Sequence, residues 1–153
     1  MSAVFVYIFK LKHIGYHFSI FNQGAFAGCT FAFFLWSLCD HGLTIYPSQS
    51  LVFVLPFVIL SSFINLISPF TFSPIAHPMI GSYLFIFGVD MFARTGWAMH
   101  AAAITNAYPD AYYHTSRSSA ILSVFVILLT IIGSTFQIWQ VRTTAYRIHE
   151  NQF

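Results

Sequence analysis

Long apolar runs separated by short polar punctuation dominate the chain. The runs lie near residues 18 to 39, 51 to 68, 79 to 104 and 119 to 141. Each approaches the roughly 20 helical residues that a hydrocarbon layer about 30 Å thick requires. Between them stand "DHGLTIYPSQS", "SPFTFSPIAHP" and "NAYPDAYYHTSRS", which gather the Pro, Gly, Asp and Ser that interrupt helices. Connections this short make successive helices antiparallel neighbours. The pattern predicts an all-α fold, a membrane-embedded four-helix bundle in a single domain covering residues 1–153. Residues 1–17 read as an interfacial segment or a lead into the first span, and 142–153 as a short polar tail. Pro56, inside the second run, predicts a local kink or a freed carbonyl.

Composition strengthens the membrane reading. Hydrophobic residues make up 58% of the chain and charged ones 7%, against roughly 25% charged in a soluble domain. The 19 phenylalanines need lipid or an apolar partner beside them, because a soluble domain of 153 residues has no room to hide them. A net charge of +2 gives no electrostatic case for nucleic acid.

The basic residues set an expected orientation. Lys10 and Lys12 precede the first run and Arg142 and Arg147 follow the fourth, while the first and third connections carry Asp40, Asp110 and Arg117. The positive-inside rule then predicts both termini on the cytoplasmic side, or in the equivalent matrix or stroma. The opening "MSAVFVYIFKLKH" is apolar first and basic second, the reverse of a signal peptide, so it is expected to stay on the mature chain.

One stretch stands against the apolar background. "GVDMFARTGWAMH", residues 88 to 100, carries Asp90 and Arg94 in the middle of the third run, where each charge costs about 2.5 to 3.5 kcal/mol on insertion scales. Their i, i+4 order, acid first, predicts an intrahelical ion pair. Helical periodicity puts Tyr83, Phe87, Trp97 and Ala101 on the same face, so the pair is expected to point into the bundle. Ser61, Ser62 and Asn65 of the second run, with Thr30 and Ser37 of the first, are the expected polar partners. The group reads first as a buried polar clasp fixing helix register. Docking on a partner's membrane helix and an ion or proton path are the alternatives, the path being disfavoured because the other runs offer no relay.

Other residues point to packing rather than chemistry. Gly24 and Gly28 form a GxxxG that allows close helix approach, read as helix packing within the chain ahead of dimerisation. Cys29 and Cys39 are separated by roughly 15 Å of helical rise, too far for a disulfide. His13 and His17 have the spacing of a metal pair but no third ligand, and His100 has no second membrane histidine with which to hold haem. Neither a metal nor another cofactor is therefore expected. No GxSxG, HExxH or glycine-rich phosphate loop occurs, so the chain is expected not to be an enzyme.

Three strings resemble a known family. "PSQSLVFVLPFVILSSFINLISP", "PMIGSYLFIFGVDMFARTGWAMHAAAI" and "SRSSAILSVFVILLTIIGSTFQIWQ" are similar to the second, third and fourth spans of fungal-type MARVEL-domain proteins, with Asp90 and the Trp97 region closest to that pattern. The resemblance implies a four-helix organiser of membrane domains or trafficking, contacting lipids and membrane proteins at the plasma membrane or in secretory vesicles. The residues alone leave an alternative open: a small accessory subunit of a large membrane assembly, such as a respiratory complex or ATP synthase of the mitochondrial inner membrane. A channel or transporter is the third and weakest reading.

Overall fold

A computed structural model describes residues 2–38, 50–105 and 116–150, and all of their regular structure is helical. The helices are α1 (Ser2–Ser37), α2 (Ser50–Ile67), α3 (Pro69–Ala93), α4 (Met99–Ile104) and α5 (Arg117–Glu150). Segments of three of them, Ile14–Ser37, Pro69–Ala93 and Arg117–Thr144, are long and apolar enough to cross a membrane, and Val52–Ile67 is a shorter apolar helix. Residues 2–17 continue into the first apolar run as one helix, and α5 carries the expected tail on to Glu150. Cys39, Asp40, Asp110 and the side chain of His13 lie outside the described residues.

The third apolar run differs from the expected 79 to 104 at both ends. It begins at Pro69, ten residues early, and Ser68 alone separates it from α2. Proline at the first helical position forfeits no bond, because that N–H has no intrahelical partner. The Ser68 carbonyl accepts from Thr71 N (3.2 Å) and Phe72 N (3.0 Å), closing the first turn. Pro74 and Pro78 sit inside the helix, which neighbouring helices in a membrane protein tolerate. The run then stops at Ala93, since Arg94 takes the left-handed conformation (φ 51°) and Gly96 also has positive φ (85°).

Two seams hold the molecule together. Along the first, α1 and α2 run antiparallel, Ile20 meeting Asn65, Gly24 meeting Ser61 and Trp36 meeting Phe53. Contact here is backbone to backbone. A Cβ on Gly24 would lie 2.6 Å from Ser62 Cα, and one on Gly28 would lie 2.3 Å from the Phe57 carbonyl oxygen. Approach this close lets Ser61 Oγ donate to the Gly24 carbonyl (2.6 Å) and Asn65 Nδ2 to the Ile20 carbonyl (2.7 Å). Both bonds therefore depend on the glycine pair that brings the helices within reach.

The second seam joins α3 to α5, also antiparallel. Pro78 abuts Gly133, Ser82 Oγ lies 2.6 Å from Thr130 Oγ1, and Trp97, just beyond α3, reaches Ser123. A reciprocal cap starts α5: Ser116 N donates to Ser119 Oγ (2.7 Å) and Ser119 N to Ser116 Oγ (3.1 Å), a serine version of the capping box. The seams are joined by Gln23 of α1, which donates to Ser73 of α3 (2.7 Å), and by a buried cluster of Phe34, Tyr83, Ile86, Trp97 and Val126.

The α1–α2 seam leaves no room for a side chain. Gly28→Ala is expected to destabilise the folded state by about 1–3 kcal/mol through overpacking, read by thermal unfolding in detergent. Gly88→Ala, where an added Cβ meets nothing within 4 Å, is expected to stabilise by about 0.5–1 kcal/mol.

Candidate functional site

The end of α3 is where the chain spends its buried charge. Left-handed backbone costs an L-residue about 1–2 kcal/mol, and beyond the helix, whose last carbonyls are themselves unpaired, the amides of the turn have no i−4 carbonyl to reach. Asp90, 3% exposed, meets that need. Its Oδ1 accepts from Thr95 N (3.0 Å) and from the Thr95 hydroxyl, and its Oδ2 accepts from Ala98 N (2.7 Å). Charge-assisted bonds of this kind are about twice as strong as neutral ones. The carboxylate is thus a scaffold for the turn from Arg94 to Ala98.

That turn aims two rings inward. Trp97 is fully buried and donates from Nε1 to Ser123 Oγ at 2.9 Å. His100, on α4 and equally buried, packs edge-on against Trp97 with ring centroids 4.5 Å apart. Its Nδ1 faces the Trp97 carbonyl, and its Nε2 lies 2.7 Å from the Tyr83 hydroxyl. A carbonyl can only accept, so in the neutral ring the proton sits on Nδ1 and Nε2 accepts from Tyr83. Both ring nitrogens are engaged by protein.

The expected clasp is therefore divided. Arg94 is exposed at the end of α3, and among the described residues it makes no ion pair with Asp90. Two causes act together: the helix stops before Arg94, so the i, i+4 stacking does not form, and both Asp90 oxygens are already taken. Because α3 starts at Pro69, the pair also lies at the end of an apolar span rather than at its middle. Ser61 and Asn65 serve the α1–α2 seam beside Gly24 and Gly28, while Thr30 and Ser37 turn back onto their own helix at Phe26 and Phe34. Thr95, His100 and Ser123 are the members of the cluster that the helical-face argument leaves out. Thr95-Gly96 after an acid was the available signal, as glycine commonly follows a helix end.

A family model described as a TM7S3/TM198-like domain matches residues 11–138, a stretch that includes the whole cluster. This is a different family from the MARVEL type that the three strings resemble. No curated protein and no solved structure matches the chain.

Asp90→Asn keeps one acceptor oxygen and turns the other into a donor facing the amide of either Thr95 or Ala98, and is expected to cost about 1–3 kcal/mol for each bond lost. Arg94→Gly removes the left-handed strain and is expected to stabilise by about 0.5–1 kcal/mol. Because Arg94 and Asp90 share the turn, those two changes are expected to couple through the backbone, and the ion pair is tested by Arg94→Gln, which removes the charge alone and is expected to change unfolding in detergent by less than about 0.5 kcal/mol. A larger loss would restore the ion pair.

Proposed function

The chain belongs to the TM7S3/TM198-like domain family, a membrane-protein family, and from that premise we propose that it is a non-enzymatic membrane module that organises membrane domains or trafficking through helix and lipid contacts. The observation that carries this reading is the inward commitment of the cluster. Asp90 is bonded to its own turn and Trp97, His100, Tyr83 and Ser123 to one another, so the most polar part of the span supports structure. The outward surface is the opposite in character. Only 17% of the most apolar stretch of α5 is buried, and Phe92, Phe125, Ile132 and Phe136 are exposed, which suits contact with lipid or with another membrane helix. The resemblance of three strings to MARVEL-type spans is the support for the organiser role in particular, with the plasma membrane or secretory vesicles as its proposed location.

The topology proposed with this role has four crossings, α2 being the fourth, and both termini on the cytoplasmic side. Support comes from Lys10, Lys12, Arg142 and Arg147 through the positive-inside rule. The packing directions suit it, as α1 meets α3 at Gln23–Ser73 and further along at Phe34 and Tyr83, while α5 runs against α3 from Pro78–Gly133 to Ser82–Thr130.

Fractionation and native gels in mild detergent test the role. The expected outcome is distribution through plasma-membrane or vesicle fractions, without stable co-migration with a megadalton assembly. Stable co-migration with a respiratory complex or ATP synthase would replace the organiser with an accessory subunit. For the topology, a reporter between residues 106 and 115 is expected on the side opposite to reporters at the two ends.

A further inference from the structure

Two helices joined by a single residue would be expected to pack along their length, yet α2 and α3 do not. Beyond Ser68 each packs on α1 more than on the other. The wedge between them is backed by α1 and encloses a cavity of about 350 Å³, within the range of small-molecule sites. Its floor consists of small residues: Ala27 and Gly28 of α1, Ser61 of α2 and Ala76 of α3. Gly28 must stay small because a Cβ there would meet the Phe57 carbonyl, so the contact that closes the α1–α2 seam also withholds a side chain from this floor.

The cavity lies at one level on both arms of the wedge. Ile64 and Phe72 each stand four residues from Ser68, and Phe57 and Met79 each eleven. At 1.5 Å per residue the space runs from roughly 6 Å to roughly 16 Å beyond the link, from near one membrane face toward the middle of α2 and α3. Phe31, Leu60, Ile64 and Ile75 form its mouth and are exposed. The cavity is therefore continuous with the apolar outer surface that an integral membrane protein turns to lipid.

The chemistry of the walls selects the occupant. They are apolar almost throughout, and the one polar side chain, Ser61, commits its hydroxyl proton to the Gly24 and Phe57 carbonyls (2.6 and 2.7 Å). Water finds too few partners to settle in such a space, and a polar head would lose its hydration there without compensation. A spanning helix of a partner has no way through the wedge, because Ser68 closes it at one face. A flexible hydrocarbon chain can enter sideways from the bilayer, and it restores to the walls the dispersion contacts that an empty space forfeits.

We propose that the α2–α3 wedge holds one acyl chain of a phospholipid from the leaflet on the Ser68 side, seated against Ala27, Gly28 and Ala76. The site rests on the lipid contacts of the proposed role and gives them a place. Labelling of the purified chain and fractionation of the cell fail independently, so the loss of one leaves the other standing.

The test uses the purified full chain in detergent with increasing amounts of a phosphatidylcholine that carries a diazirine midway along one chain. The exposed α5 residues Ile121, Val124 and Phe125 report passing contact with lipid. Labelling within residues 57–64 and 72–79 is expected to saturate, while labelling within 121–128 rises in proportion to the lipid added. Ile75→Trp places a larger ring at the mouth and is expected to lower the wedge labelling roughly 10-fold, the factor that corresponds to 1.4 kcal/mol, leaving the α5 labelling unchanged. Proportional labelling at all of these peptides, or wedge labelling unchanged in Ile75→Trp, would overturn the proposal. An oligomer whose wedge is labelled only after dissociation would also overturn it, since a second copy then fills the space. Should Ile75→Trp not fold, competition on the native chain decides: unlabelled phosphatidylcholine must displace the label from the wedge peptides at lower concentration than from α5, and equal displacement counts against the site.

Discussion

Reversing the chain beyond a helix at the edge of a bilayer leaves the amides of the turn without carbonyl partners where little water can reach them, and the Asp90 carboxylate answers that constraint. Its two oxygens hold the amides of Thr95 and Ala98, so the chain can leave α3 at Arg94 without stranding N–H groups. Everything packed beneath the turn follows from this. Trp97 enters the core only because the turn folds back, and Tyr83, His100 and Ser123 are bonded only because Trp97 and α4 come with it. A carboxylate engaged in this way has a structural use for its position in an apolar span, since three donors of the turn converge on it.

The two seams solve the problem of helix association differently. In lipid there is no hydrophobic drive to bring helices together, so close packing and hydrogen bonds must do it. Between α1 and α2 the answer is a pair of glycines with Ser61 and Asn65 reaching across to carbonyls. Between α3 and α5 a single glycine against Pro78 brings the helices close at one level, and hydroxyl and indole bonds continue the contact. The looser second seam is also the one that leaves open space beside Gly81.

Helicity, the apolar spans and the membrane class were legible because hydropathy alone reports them. Gly24 and Gly28 were legible as packing residues because GxxxG has a direct steric meaning. The boundaries of α3 were not. Pro69, Pro74 and Pro78 read as a connection by the rules of soluble helices, whereas neighbouring helices accommodate them here. Asp90 and Arg94 read as an ion pair because the spacing fits an uninterrupted helix, and two residues later Gly96 carries the positive φ that the pattern overlooked. Tyr83 with His100, and Trp97 with Ser123, are joined through a chain reversal, and helical periodicity holds no information about contacts of that kind.

The single-residue link at Ser68 has a consequence for the surrounding bilayer. It ties the end of α2 and the start of α3 to the same depth, yet α2 has 18 residues and α3 has 25, roughly 27 and 37 Å of helix. In the proposed topology, with α2 as a crossing, the two upright helices do not match one hydrocarbon thickness of about 30 Å. The difference of about 10 Å is then absorbed by tilting α3 or by a bilayer that is thinner beside α2 than beside the α3–α5 face. The exposed arginine at the far end of α3 then marks how deep the longer helix is allowed to sit.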